Sequence, residues 1–307
     1  MAVSKAFESK LEQFSNWWEN KTRNIILPGL EGLSLYDLWE IYSGGIIKGT
    51  FSTRASAIAF SFFMALFPFL LFMLNLIPYI QFIDDFQLQF LIFMDSLLPP
   101  QTSVFFNDIF LDIANTPRGG LLSFAFILSI FLMTNGVNAI FTGFEFSYHT
   151  NTNRSIIRQY IIAVGVSLIM ALLLLITVIL AVYLTYALDD LNELGVVPKD
   201  GAGAPLVKYS AFILLIYIGV ATLYYFGTKE ARKAKFFSIG AFFTTILILL
   251  TTYLFGLYIE NFSSYNELYG SIGALLILMV YIWINSNILL LGFELNASLI
   301  KLKKNFK

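Results

Sequence analysis

Six uninterrupted apolar stretches, at about residues 56–80, 120–142, 159–187, 208–227, 236–259 and 270–294, decide what this chain can become. Each matches the roughly 20 helical residues that carry a backbone across a hydrocarbon layer about 30 Å thick. Inside such a layer every backbone amide must bond within the protein, and a helix does this alone. Composition agrees. Of the 307 residues 58% are hydrophobic and 13% charged, against soluble averages of roughly 45–50% and about 25%. So little charge cannot coat a globule, which excludes a soluble enzyme. The expected fold class is an all-α integral membrane protein with six transmembrane helices.

The distribution of Lys and Arg orients the bundle. Sixteen fall on one side and three on the other. The larger set comprises those of residues 1–54, then Arg154 and Arg158, then Lys229, Arg232, Lys233 and Lys235, and finally Lys301 to Lys307. Only Arg118, Lys199 and Lys208 lie opposite. By the positive-inside rule both termini are cytoplasmic. The first thirty residues are charged throughout and hold no 7–15-residue apolar core, so no cleavable signal peptide is expected.

The chain then divides into a cytoplasmic amphipathic lead-in (1–54), a six-helix domain (55–299) and a basic cytoplasmic tail (300–307). In the lead-in, Leu35, Leu38, Trp39 and Tyr42 stand at helical spacing before Gly44-Gly45. Between the first two spans, residues 81–118 alternate Asp84, Asp85, Asp95, Asp108 and Asp112 with apolar clusters too short to cross. This pattern predicts two amphipathic extracytoplasmic helices lying on the outer leaflet or capping the bundle. Residues 188–207 read as an external turn.

Several chemistries are excluded or disfavoured. There is no cysteine, hence no disulfide, Cys-ligated zinc or iron–sulfur cluster. A net charge of −1 removes the basic face of a nucleic-acid binder. The single histidine, His149, has no partner at metal-ligand spacing, and neither a metal nor a cofactor is expected. Residues 44–50 fail the phosphate-loop spacing, and hydrolase motifs are missing.

Polar groups inside a span form the shortlist for function, because a charge at a helix centre costs about 2.5–3.5 kcal/mol on insertion scales. The second span carries Asn135 and Asn138 on one face, with Glu145 two turns further on. The sixth carries Asn285, Ser286 and Asn287, then Glu294 and Asn296. The first begins at a matching depth with Arg54, Ser56 and Ser61. One reading makes Asn135, Asn138, Asn285, Asn287 and Glu294 a substrate pathway, with Arg54 and Glu145 as an inner gate. The other makes them interhelical glue, at about 0.6–2 kcal/mol per contact. Pro68 removes a backbone donor inside the first span and predicts a kink or a packed-in polar neighbour.

Three blocks resemble the YihY/BrkB family of bacterial inner-membrane proteins, once called ribonuclease BN. They are Arg54-Ala55-Ser56-Ala57-Ile58-Ala59-Phe60 with Ala65-Leu66-Phe67-Pro68; Gly119-Gly120-Leu121-Leu122 through Asn138-Ala139-Ile140 to Arg154 and Arg158; and Tyr269-Gly270 through Trp283 to Leu290-Leu291-Gly292-Phe293-Glu294. The last is similar to the family's closing L-L-G-x-E signature. Members often carry Asn or a basic residue near where Glu145 stands, so a gate using Glu145 would be particular to this chain or absent. The resemblance implies six helices with both ends inside, and a role as transporter or export factor tied to envelope integrity.

The function expected is therefore a multi-pass transporter or lipid-handling export factor of a bacterial plasma membrane. Its partners would be membrane lipids and a lipid or amphipathic anionic substrate. The alternative is a non-transporting scaffold for envelope assembly. A ribonuclease is disfavoured, because metal-assisted RNA cleavage needs clustered ligands that one histidine does not supply.

Overall fold

The computed structural model describes residues 20–26, 34–37, 39–40, 50–76, 119–146, 154–193, 203–229, 235–261 and 271–305. Six long helices dominate: α1 (Thr50–Leu76), α2 (Gly119–Glu145), α3 (Ile156–Glu193), α4 (Gly203–Gly227), α5 (Ile239–Asn261) and α6 (Ser271–Asn305). Each holds a stretch long and apolar enough to cross a membrane, from Phe51–Phe69 in α1 to Leu275–Ile300 in α6. This is a multi-pass membrane protein. Among the described residues the sole non-helical pairing is an isolated bridge between Ile26 and Ser34.

All the helices but α5, which starts at Ile239, outrun the apolar stretches that announce them. With 38 residues, α3 is about 57 Å long at 1.5 Å per residue, far more than the hydrocarbon thickness, so it tilts or projects. It runs on through Asp189 and Asp190 to Glu193, and α4 starts at Gly203, so the turn expected over 188–207 is shorter than that range. Hydropathy marks where a helix leaves lipid, not where its hydrogen bonds stop. For the same reason α6 continues past Glu294 to Asn305. Lys301, Lys303 and Lys304 thus sit in its closing turns, where the helix dipole favours cations. At the other end of the chain, α1 remains helical through Pro68 to Leu76.

In the lead-in, Ser34 starts a short helical piece by a reciprocal cap. Its amide and hydroxyl donate to the Asp37 carboxylate at 2.8 and 2.7 Å, and the Asp37 amide donates back to Ser34 Oγ at 3.2 Å. Leu35 and Trp39 fall in this piece. Leu38, Tyr42, Gly44-Gly45, the 81–118 segment and His149 lie outside the described residues.

Each helix packs on the next, and α6 returns to pack on α1, so the six close into a ring. The most extensive pair is α1 with α2. Because α2 also touches α4 and α6, it is the innermost member. The core accordingly gathers on one half of α2 and its neighbours: Ile58, Val137, Ile140, Phe141, Phe144 and Leu290 are buried. Outward faces carry aliphatic side chains, such as Ile157, Ile161, Leu172 and Ile176 on α3. A bundle surrounded by lipid has no reason to hide them.

Lipid offers no hydrophobic drive for helices to associate, so close packing of small residues does that work. Here α5 and α6 meet at Gly240 and Gly292. A methyl group on Gly292 would overlap Thr244 Oγ1 and the Tyr224 hydroxyl, and one on Gly240 would overlap the Gly292 carbonyl. Asn296 reinforces the seam: its Oδ1 accepts the Gly240 amide at 2.9 Å, and its Nδ2 donates to Ser238 Oγ at 2.7 Å.

Candidate functional site

Helices end with unpaired carbonyls and a partial negative charge, and both features attract cations. Two arginines exploit this where α2 and α4 end side by side. Arg54, in the first turns of α1, donates through Nη1 to the Gly143 carbonyl at 2.8 Å. Arg154, just before α3, donates through Nη1 to the Phe226 carbonyl at 2.6 Å. The contact between the two helix ends is close, since a methyl group on Gly227 would press on the Phe144 ring at 2.5 Å.

Each arginine has a carboxylate at hand. Arg54 Nη1 stands 3.9 Å from Glu294 Oε1, with the two side chains 12% and 6% exposed, and its guanidinium lies 4.6 Å from the Phe51 ring centroid. Glu145 accepts the Arg154 backbone amide at 3.2 Å. Gln159 extends this second group. With its amide nitrogen facing Glu145, it stands 3.0 and 2.9 Å from the two carboxylate oxygens, and its oxygen accepts the Thr142 hydroxyl at 3.1 Å. Asn138 lies 3.0 Å from the same amide. Two cations and two carboxylates therefore surround the C-terminal end of α2, drawn from α1, α2, α6 and the start of α3.

Beside these charges, aromatic rings close the interior of the ring of helices. Phe144 of α2 stacks on Phe293 of α6 with centroids 4.0 Å apart and planes 8° from parallel. Tyr224 of α4 meets both edge-on, at 5.5 and 5.8 Å. All three are buried. The Tyr224 hydroxyl donates to the Leu289 carbonyl at 2.7 Å and shares a hydrogen bond with Thr244 Oγ1 at 2.6 Å. One phenol thus ties α4 to α5 and α6 across the bundle.

The structure brings Arg54 to Glu294, and Glu145 to Arg154 and Gln159, but it disperses the asparagines. Asn135 accepts the Tyr160 hydroxyl of α3 at 3.4 Å, and Asn138 faces Gln159 of the same helix. Asn285 and Asn287 turn their amides back on their own helix, donating to the carbonyls of Tyr281 and Trp283 at 2.9 and 2.8 Å. Tyr224 is 2% exposed and hydrogen-bonded at the centre. Sequence reasoning passes over Gln159 and Thr244 and treats Arg154 as a topogenic charge. The usable signal is an amide at the head of an apolar stretch, following a lone Glu just past the end of the preceding one.

The sequence pattern of the family described as virulence factor BrkB matches residues 45–305. The chain belongs to the BrkB family. This BrkB chain is similar to the ribonuclease-like protein YfkH of Bacillus subtilis, 28% identical over 260 residues that make up 82% of this chain and 91% of that protein. It is 24% identical over 262 residues to a UPF0761 membrane protein of Psychrobacter, covering 83% of this chain but 47% of the longer relative. A UPF0761 membrane protein of Psychromonas ingrahamii is 35% identical over 99 residues, about a third of each chain. No solved structure matches. Among the described residues, no group of three or more His, Cys, Asp or Glu is arranged to hold a metal ion.

Proposed function

We propose that this BrkB protein moves a lipid or an amphipathic anion across the plasma membrane of a bacterium, with both termini and the charged end of the bundle in the cytoplasm. The observation that carries the reading is the Arg54–Glu294 pair, buried between α1, α2 and α6 inside apolar spans. A buried ion pair is weak evidence for stability, because well-packed apolar residues often do as well. Ionisable side chains within a membrane instead mark substrate or ion pathways. The sequence has no nucleotide-binding motif, so the energy comes from a gradient or from a separate protein. Orientation rests on the Lys and Arg count, and the named relatives are bacterial.

A second reading, a non-transporting scaffold, draws on the asparagines: each has an amide nitrogen or oxygen engaged within the bundle, as structural polar groups do, although the buried Asn285 Oδ1 has no partner. Flux separates the two. Purified protein in liposomes is given a fluorescent anionic phospholipid or an anionic amphiphile, with and without a proton gradient. Transport predicts flux above that of empty vesicles, reduced at least tenfold by Glu294→Gln with helicity and monodispersity unchanged. No flux from the unaltered protein with either probe favours the scaffold.

A further inference from the structure

A line of polar side chains leaves the Arg54–Glu294 pair and runs along the outside of the bundle between α1 and α6. On α6, Trp283, Asn287 and Glu294 stand at positions i, i+4 and i+11 and so share one stripe. Opposite them on α1, Ser56 accepts the Trp283 indole N–H at 3.2 Å and passes its own proton to the Ser52 carbonyl at 2.8 Å. Ser52 and Ser56 are exposed, and Trp283 is 37% exposed. On α6 these groups lie well inside the span, whereas Ser52 and Ser56 stand one and five residues inside Phe51–Phe69. Trp283 is eight residues from the nearer end of Leu275–Ile300, about 12 Å along the helix, and Asn287 is at its middle. At comparable depth the outward side chains of α5 include Ile246, Leu250 and Leu254. A polar group open to hydrocarbon costs free energy unless something polar meets it.

We infer that the α1–α6 seam is a lateral groove that takes the phosphate-bearing headgroup of an anionic membrane phospholipid. This deepens the proposal that the protein handles lipid and rests on it. The groove opens sideways to the bilayer, where phospholipid is the abundant polar molecule. At its inner end stands Arg54, whose planar guanidinium donors match a phosphate. Its wall of hydroxyl, indole and amide groups bonds to phosphate and ester oxygens without a charge that would trap them.

Trp283 is the reporter. Replacing Trp17, Trp18 and Trp39 by Phe leaves it as the sole tryptophan of the four in the chain. The protein is reconstituted with an anionic phospholipid carrying a nitroxide either on its headgroup or at mid-chain. A headgroup in the groove makes the headgroup label quench Trp283 at least as strongly as the mid-chain label. Ser56→Leu with Asn287→Leu then cuts headgroup quenching at least threefold and leaves mid-chain quenching in place. Quenching by the mid-chain label alone overturns the inference, and so does quenching by neither, the mark of a seam covered by another copy. Both labels are compared on the unaltered groove, so the test stands even where the leucine variant fails to fold. Lipid flux in the same vesicles keeps the two ideas apart. Quenching without flux retains the groove and removes transport, and flux without headgroup quenching does the reverse.

Discussion

Gly292 is the residue on which the α5–α6 seam turns, because any side chain there meets Thr244 and Tyr224 at once. Gly292→Ala is expected to destabilise the protein by about 1–3 kcal/mol through overpacking, read as a lower melting temperature in detergent. Gly256, where an added methyl group meets nothing within 4 Å, is the control. There, alanine is expected to be neutral or to gain up to about 1 kcal/mol from helix propensity. Tyr224→Phe removes the hydroxyl shared by Leu289 and Thr244 and is expected to cost about 0.5–1.5 kcal/mol per bond lost. A double-mutant cycle with Thr244→Val checks it: if the two effects add without coupling, the hydroxyl is not holding the helices together.

At the scale of elements, Arg154 is the joint that gathers three helices. Its amide serves Glu145 of α2, its guanidinium serves the last turn of α4, and its own position starts α3. Arg154→Gln is therefore expected to fray the end of α4, seen as faster amide hydrogen exchange across residues 223–227 than in the unaltered protein. Arg158→Gln, at an exposed position, is expected to change stability by less than about 0.5 kcal/mol. How much of this is legible in the sequence follows from the same physics. The six helices can be read because a span needs about twenty predominantly apolar residues with few charges, a run that soluble segments seldom contain. Their ends cannot: Asp189, Asp190 and Lys301 to Lys304 are compatible with a helix once it has left the hydrocarbon. Arg54 and Glu294 can be brought together because charge inside a span is rare and their depths match. The partners of Asn138 and Glu145 escape such reading because Gln159 sits on a different helix, and spacing along one chain does not report which faces of two helices meet.

For the whole molecule, the sidedness of the bundle is open to direct measurement, since the chain has no cysteine to confuse the labelling. Single cysteines introduced at Lys233 and Lys303 are expected to react with a membrane-impermeant maleimide only after the cell is opened. Reaction of either one in intact cells would invert the orientation on which the proposed function depends. Ring closure has a further effect, on the time course of synthesis. The span that emerges first finds its last neighbour only when α6 arrives, because Arg54 and Glu294 are separated by some 240 positions. At roughly 5–20 residues per second that interval is on the order of ten to fifty seconds. Throughout it, a guanidinium stands at the edge of the lipid without its carboxylate. A chain arrested before α6 therefore differs from a finished one in that Arg54 lacks the Glu294 carboxylate that stands 3.9 Å from it in the closed ring.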